Sequence, residues 1–538
     1  MFDALVDRIS AAMWNLRPSE AVLLGKHEYD GVVPDLSEDT VADQLRRLRT
    51  LSRQLDSLEG LSADQQIDRI QLRAAVERVV LDHEVLRDRQ RNPMAVVNLL
   101  NITPYLNRAY APPSVRALRI VDVLDQAPRV LAQARAVLDP VVPEVLCRWG
   151  MRSASGMAEA LETELPDELA GLDDPVLRSR LGDAARVGAD ALRGYAAWID
   201  SARLGVADDA FPIGEGALAG LLLHGELLTT PVAELLEVGE ADLAANLEAF
   251  RDAAAAVDPT CSAREAYARH VASARPPADG MIATVEGMLE GIRSFVLDER
   301  LVTIPSEVRA TVAPTPRHLR WAFAMMDTPG PYETEATEAI FYVTPPEADW
   351  SPEQVDEWLS ALNVFHLEDV SIHEVYPGHY VHFLHANSAP TEVSRRLASY
   401  AFSEGWAHYA EQLLWESGYR GGDPRFRLAQ LSGALVRNCR FVCSLRMHTG
   451  EMSLPEAVDF FRLNTHFDET PARAEAERGA FDPGYFSYTL GKLQILDLRA
   501  DYRAARGPEF TLREFHDRLL SRGAPPVEVM RAEMLPGR

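Results

Sequence analysis

A chain of 538 residues is larger than one hydrophobic core supports, so two lobes are expected; with 47% hydrophobic and 25% charged residues, neither disorder nor a fibrous repeat fits. The formal net charge of −27 argues against nucleic acid or an anionic membrane as partner, because no generally basic surface is available to hold a polyanion. Four cysteines, Cys147, Cys261, Cys439 and Cys443, are too few to staple such a chain and suggest a reducing compartment.

The chain opens on MFDALVDRISAAMWNLRPSEAVLL, in which Asp3, Asp7 and Arg8 interrupt the apolar residues at helical spacing. A signal peptide needs a continuous apolar stretch, and a membrane span needs roughly 20 apolar residues; neither occurs, so cytoplasmic residence is the default expectation. Apolar positions three and four apart then recur to about residue 300, as in DRIQLRAAVERVVLDHEVLRDRQ, and predict a helical N-terminal lobe over 1–300. Proline clusters around 274–280, 312–318 and 327–333 break this pattern. The short aromatic and β-branched run 339–344, closed by Pro345 and Pro346, is the clearest strand in the sequence. Helical periodicity returns from Ser351 onward, so 301–538 is expected to form a second, metal-binding lobe interleaved with the first. The fold class is therefore mostly α, two-lobed, with a small β-sheet beside a central cleft.

The second lobe opens with SIHEVYPGHYVH, Ser371 to His382. His373 and Glu374 supply an imidazole ligand and an adjacent carboxylate, the pair that holds Zn²⁺ and takes a proton from water. A regular helix would place the second ligand four residues on, where Pro377 stands and cannot donate the amide bond that the His373 carbonyl accepts. Gly378 permits backbone angles closed to other residues, so the Pro-Gly pair can swing His379 back toward His373. His382 and His385 also lie within reach of such a face, and spacing alone leaves them open. Downstream, FSEGWAHYAEQLLWE places Glu404, His408 and Glu411 on one helical face. A carboxylate from this second helix is what a two-histidine site lacks. Cys439 and Cys443, one turn apart, are expected in the core rather than at a metal.

HEVYPGHY followed by SEGWAHYAE resembles the bacterial domain-of-unknown-function family 885, whose site layout is similar to that of gluzincin zinc metallopeptidases. LGKHEYDGVVPDLS (24–37), EAIFYVTPP (338–346) and DPGYFSYTLGKLQILDLR (482–499) extend the resemblance over essentially the whole chain. It implies one Zn²⁺ ion, or another divalent metal, on His373, His379 and Glu404, with Glu374 as general base. It further implies Tyr488 and His448 as donors to the oxyanion, and Tyr485 and Arg440 as substrate contacts. Three positions depart from the family pattern: Tyr380 where a second histidine is common, Ser444 for Asp and Arg446 for Gly.

The function expected is a zinc-dependent hydrolase acting on oligopeptides or peptide-like amides, with strand 339–344 aligning the substrate as an added strand. Two alternatives keep the scaffold: a metal-dependent enzyme on a specialised small molecule, suggested by Ser444 and Arg446, and a non-catalytic binding protein, suggested by Tyr380.

Overall fold

The computed structural model describes residues 1–535 apart from 169, 321 and 348. Helices dominate, and one three-stranded sheet occurs among the described residues, so the mostly α class stands. The chain divides into two compact units, Met1–Ile213 with Pro329–Thr337, and Gly214–Thr328 with Glu338–Arg538. Residue 300 lies inside the second unit, and a short segment from the middle of the chain belongs to the first.

In the first unit, helices Glu144–Thr163 and Pro175–Ala202 pack on each other, and both bury small residues, Ala154 and Ala158 on the first and Ala184, Ala185, Gly188 and Ala189 on the second. Small side chains let the two backbones approach closely. The N-terminal helix Phe2–Leu16 buries Phe2, Leu5, Val6, Ile9 and Met13, the single face its periodicity predicts. The stretch around His27 has a specific task. One imidazole nitrogen meets Asp30 at 3.2 Å and the other meets Glu333 at 3.1 Å, while the ring stacks on Tyr110 at 3.8 Å. Gly25 has φ +87° and lies against the Glu333 backbone, where a Cβ would come within 2.5 Å. The N-terminal signature therefore grips the returning segment 329–337.

In the second unit the sheet order is β1 (Thr311–Pro314), β3 (Ile340–Val343), β2 (Ala324–Asp327), with β3 parallel to β1 and antiparallel to β2. The strand read at 339–344 is thus present as β3, and it is the central one. Both its edges are paired, so it cannot take a substrate as an added strand; only an edge strand has unpaired backbone groups to offer. β2 is such an edge. The helix Pro424–Thr449 is buried on almost every side, which explains why its sequence shows little amphipathic pattern, and it forms the backing against which Val364–Glu374 and Ser487–Arg506 pack.

Candidate metal centre

Helix Val364–Glu374 starts at Asn363, whose side chain accepts from the His366 amide at 3.0 Å, and ends where Pro377 removes the next donor. The chain then doubles back on itself. The Gly378 amide donates to the Ile372 carbonyl at 3.1 Å, and a Cβ on Gly378 would lie 1.7 Å from the His373 carbonyl oxygen, so no other residue fits. Helix His379–Ala386 begins at once. The turn carries His379 back until its ring lies 4.9 Å from that of His373, with the planes at 88°.

Helix Tyr400–Glu416 supplies the third side chain. The helix is capped by Ser399 and by buried Glu226, whose carboxylate accepts from the Ala401 amide at 3.2 Å and from the Ser399 hydroxyl. It crosses helix Ser487–Arg506 at Gly405 and Gly491, where a Cβ on Gly405 would come within 2.4 Å of the Gly491 backbone. Trp406 then locks one motif to the other: its indole N–H donates to the Pro377 carbonyl at 3.0 Å and reaches that of Gly378 at 3.3 Å.

As a result one Glu404 oxygen lies 3.5 Å from Nε2 of His373 and 3.5 Å from Nε2 of His379. All three ligand atoms fall within 4.8 Å of one another. Two ligands each ~2.0–2.1 Å from a tetrahedral ion are roughly 3.4 Å apart, so the donor set and its spacing fit a Zn²⁺-sized cation. Behind the triad, Nδ1 of His373 meets Glu411 at 2.7 Å, and Arg437 pairs with the same carboxylate at 3.0 Å. This arrangement turns Nε2 toward Glu404, as carboxylates behind metal-bound histidines do. Burial pushes the His373 imidazole down, but the Glu404 and Glu411 carboxylates outweigh it and raise it to about 9. Glu404 is held well below the usual carboxylate range: burial works to raise it, and hydrogen bonds from His373 and His379 prevail. Asp369, buried beside Glu411, is pushed well up by burial and by that neighbour's charge.

Glu374 is half-buried, and its Oε2 accepts from the Met326 amide of β2 at 3.0 Å. Tyr380 is turned away from the triad; its hydroxyl donates to the Val308 carbonyl at 2.8 Å. His385 meets the Thr303 carbonyl at 2.8 Å, and buried His382 packs against Phe402, so neither joins the three. The Tyr488 hydroxyl meets that of Tyr400 at 3.2 Å, and the guanidinium groups of Arg437 and Arg440 lie 5.7 and 5.4 Å from its ring centre.

Other residues read as substrate-facing are turned to protein partners. Arg440 forms a two-bond pair with Glu475 at 2.8 and 2.7 Å. His448 is fully buried with Nε2 on the Gly479 carbonyl at 2.8 Å, and Tyr485 is fully buried against Gly479. Ser444 bonds the Pro483 carbonyl and Arg446 pairs with Glu240. Cys439 and Cys443 are buried thiols, in the core as expected. Sequence reasoning had no role for Glu411, Arg437, Trp406 or the Met326 amide. Only Glu411 carried a signal, seven residues after Glu404 and hence on its face.

Residues 18–534 match the family described as "Bacterial protein of unknown function (DUF885)". No curated protein matches the chain significantly. Two solved structures share the fold: a candidate lipoprotein of unknown function from Shewanella oneidensis (21% identity, TM-score 0.83, 99% of this chain and 100% of that one) and a candidate lipoprotein from Colwellia psychrerythraea (16%, 0.84, 99% and 98%). A carboxypeptidase from Deinococcus radiodurans aligns over 98% of this chain and 90% of its own at 12% identity, but its TM-score of 0.38 is too low to inform fold or activity. The descriptions of the first two overturn the expectation of cytoplasmic residence. No helix among the described residues is long and apolar enough to cross a membrane.

Proposed function

The chain belongs to the bacterial DUF885 family, and from that premise and its site geometry we propose that it is a zinc-dependent hydrolase of peptides or peptide-like amides, similar in site layout to the gluzincins. The observation that carries the reading is the His373–His379–Glu404 triad, in which one Glu404 oxygen lies 3.5 Å from each histidine's Nε2, flanked by Glu374 on the same helix as the first ligand. A divalent metal in the triad supplies Lewis acidity, polarising a carbonyl and acidifying water.

Glu374 has one oxygen held by the Met326 amide, so the other, Oε1, is the atom that takes a proton from the attacking water and returns it to the leaving amine. Glu411 and Arg437 keep the His373 ring oriented through Nδ1. The Tyr488 phenol, steadied by Tyr400 and by two guanidinium groups, donates to the oxyanion as charge develops there. The substrate backbone lies along β2. Thr344 donates to the Phe323 carbonyl, which sets the ladder so that Met326, opposite Phe341, directs its backbone groups outward; its amide is taken by Glu374, so its carbonyl is the group that receives a substrate amide. An extended chain on that edge runs past Glu374.

The test is metal analysis of the purified protein together with cleavage of a mixed peptide library. The expected result is about one equivalent of divalent metal, with cleavage abolished by a chelator and restored by Zn²⁺. A protein that leaves every peptide and amide intact after zinc loading contradicts the reading.

A further inference from the structure

Next to His379 lies a cleft of about 320 Å³ that the reaction above leaves without a role. Met326 of β2, Phe383, Leu397 and Ala524 supply the apolar part of its wall, His382, Ser394 and Ser403 a neutral polar part, and Arg395 lies at one side. A volume at the lower end of the roughly 300–1,000 Å³ of small-ligand sites holds one residue rather than a length of chain.

The charge of the lining is unusual for this molecule. The chain carries 81 acidic against 54 basic side chains, yet no carboxylate lines the cleft and one guanidinium does. The arginines behind the triad have their charge met, Arg437 by Glu411 and Arg440 by Glu475. Arg395 is exposed, and its one hydrogen bond among the described residues is to the Ala389 carbonyl at 3.1 Å. An unpaired guanidinium favours a planar, two-oxygen anion.

We propose that this cleft seats one substrate residue whose carboxylate pairs with Arg395, either the α-carboxylate of a chain end or the side chain of an acidic residue. The inference rests on the hydrolase reading, because it places that residue beside the metal ligand His379. A carboxylate approaching a chain of net charge −27 is otherwise repelled, so Arg395 is the feature that makes such a substrate acceptable.

Calorimetric titration of the zinc-loaded protein tests this with three probes sharing one malonyl hydroxamate: coupled to leucine, to leucinamide, and to the α-amide of glutamate. The hydroxamate reports the metal, and the second half reports the cleft. At least one anionic probe is expected to bind roughly fivefold or more tightly than leucinamide, the size of a partly screened charge pair. A preference for leucine identifies a chain end, and a preference for the glutamate amide identifies an acidic side chain. Arg395→Gln is expected to erase the preference while leaving leucinamide within about twofold, and Arg395→Lys to retain part of it. Equal binding of all three probes, or a preference that survives Arg395→Gln, overturns the inference and leaves the metal reading intact. If none of the three binds, the metal reading fails and the cleft assignment falls with it.

Discussion

Two stretches of the second unit, 373–411 and 440–485, both looked functional by residue type, and they behave in opposite ways. In the first, side chains from two helices converge until three ligand atoms lie within 4.8 Å of one another. In the second, Arg440, His448 and Tyr485 each spend their polar groups on Glu475 or on the backbone around Gly479. A metal demands several donors at one point, so its site leaves backbone marks: a proline that stops a helix, and glycines pressed where no Cβ fits. The second stretch also presses a glycine, Gly479, where a Cβ would lie 2.4 Å from the Tyr485 hydroxyl, but that glycine makes room for a buried ring and brings no set of ligand atoms together.

The largest test of this contrast is Glu374→Gln. It is expected to lower turnover by about 10²–10⁴-fold with metal content unchanged, since only a proton acceptor is removed. Glu411→Gln removes the anion behind His373 and is expected to weaken Zn²⁺ binding by about 10–100-fold, read by competition with a chromophoric chelator. Metal binding must displace the proton that Glu404 and Glu411 help His373 to keep up to about pH 9, so Zn²⁺ affinity should climb about tenfold per pH unit toward that value and then level off. The sign for the metal-free fold is the reverse. An imidazole raised above its ordinary value contributes stability that is complete below about pH 6.5 and lost as pH rises through about 9, so the metal-free melting temperature should drop over that window while the loaded one holds.

Smaller effects sharpen the comparison from its other side. Trp406→Phe keeps an aromatic side chain but removes the N–H that ties Pro377 to helix 400–416, together with part of the buried ring volume; a several-fold loss of Zn²⁺ affinity is expected, with a changed Co²⁺ absorption spectrum. Tyr485→Phe is expected to leave kcat/KM within about twofold, because the hydroxyl reaches only a backbone carbonyl at 3.5 Å. A Tyr485→Phe loss as large as that of Glu374→Gln would erase the distinction between the two stretches.

Much of the candidate metal centre was legible in the sequence because its determinants are local. Pro377 forbids the regular helix, Gly378 permits the reversal, and Glu404 lies on an amphipathic helix, so three ligands could be named from spacing and family resemblance together. The strand at 339–344 was equally plain from its β-branched and aromatic residues, but its place in the sheet was not. That it is central depends on pairing with β1 and β2, which are four residues each and carry little pattern. The division into units was obscured for the same reason: the returning segment 329–337 joins the first unit through His27 and Glu333, a contact across 306 positions that no periodicity announces. Tyr380, the departure that most threatened the ligand set, proved to bond Val308 on the far side of the turn.

The central claim is that His373, His379 and Glu404 together hold one divalent ion. Its most direct test is zinc stoichiometry by competitive titration of the wild-type protein beside Glu404→Gln, with circular dichroism to verify that both are folded. The account predicts one tightly bound equivalent in the wild type and a loss of affinity of at least about a hundredfold in the variant, whose neutral amide is a poor ligand. Undiminished one-to-one binding by folded Glu404→Gln would contradict it.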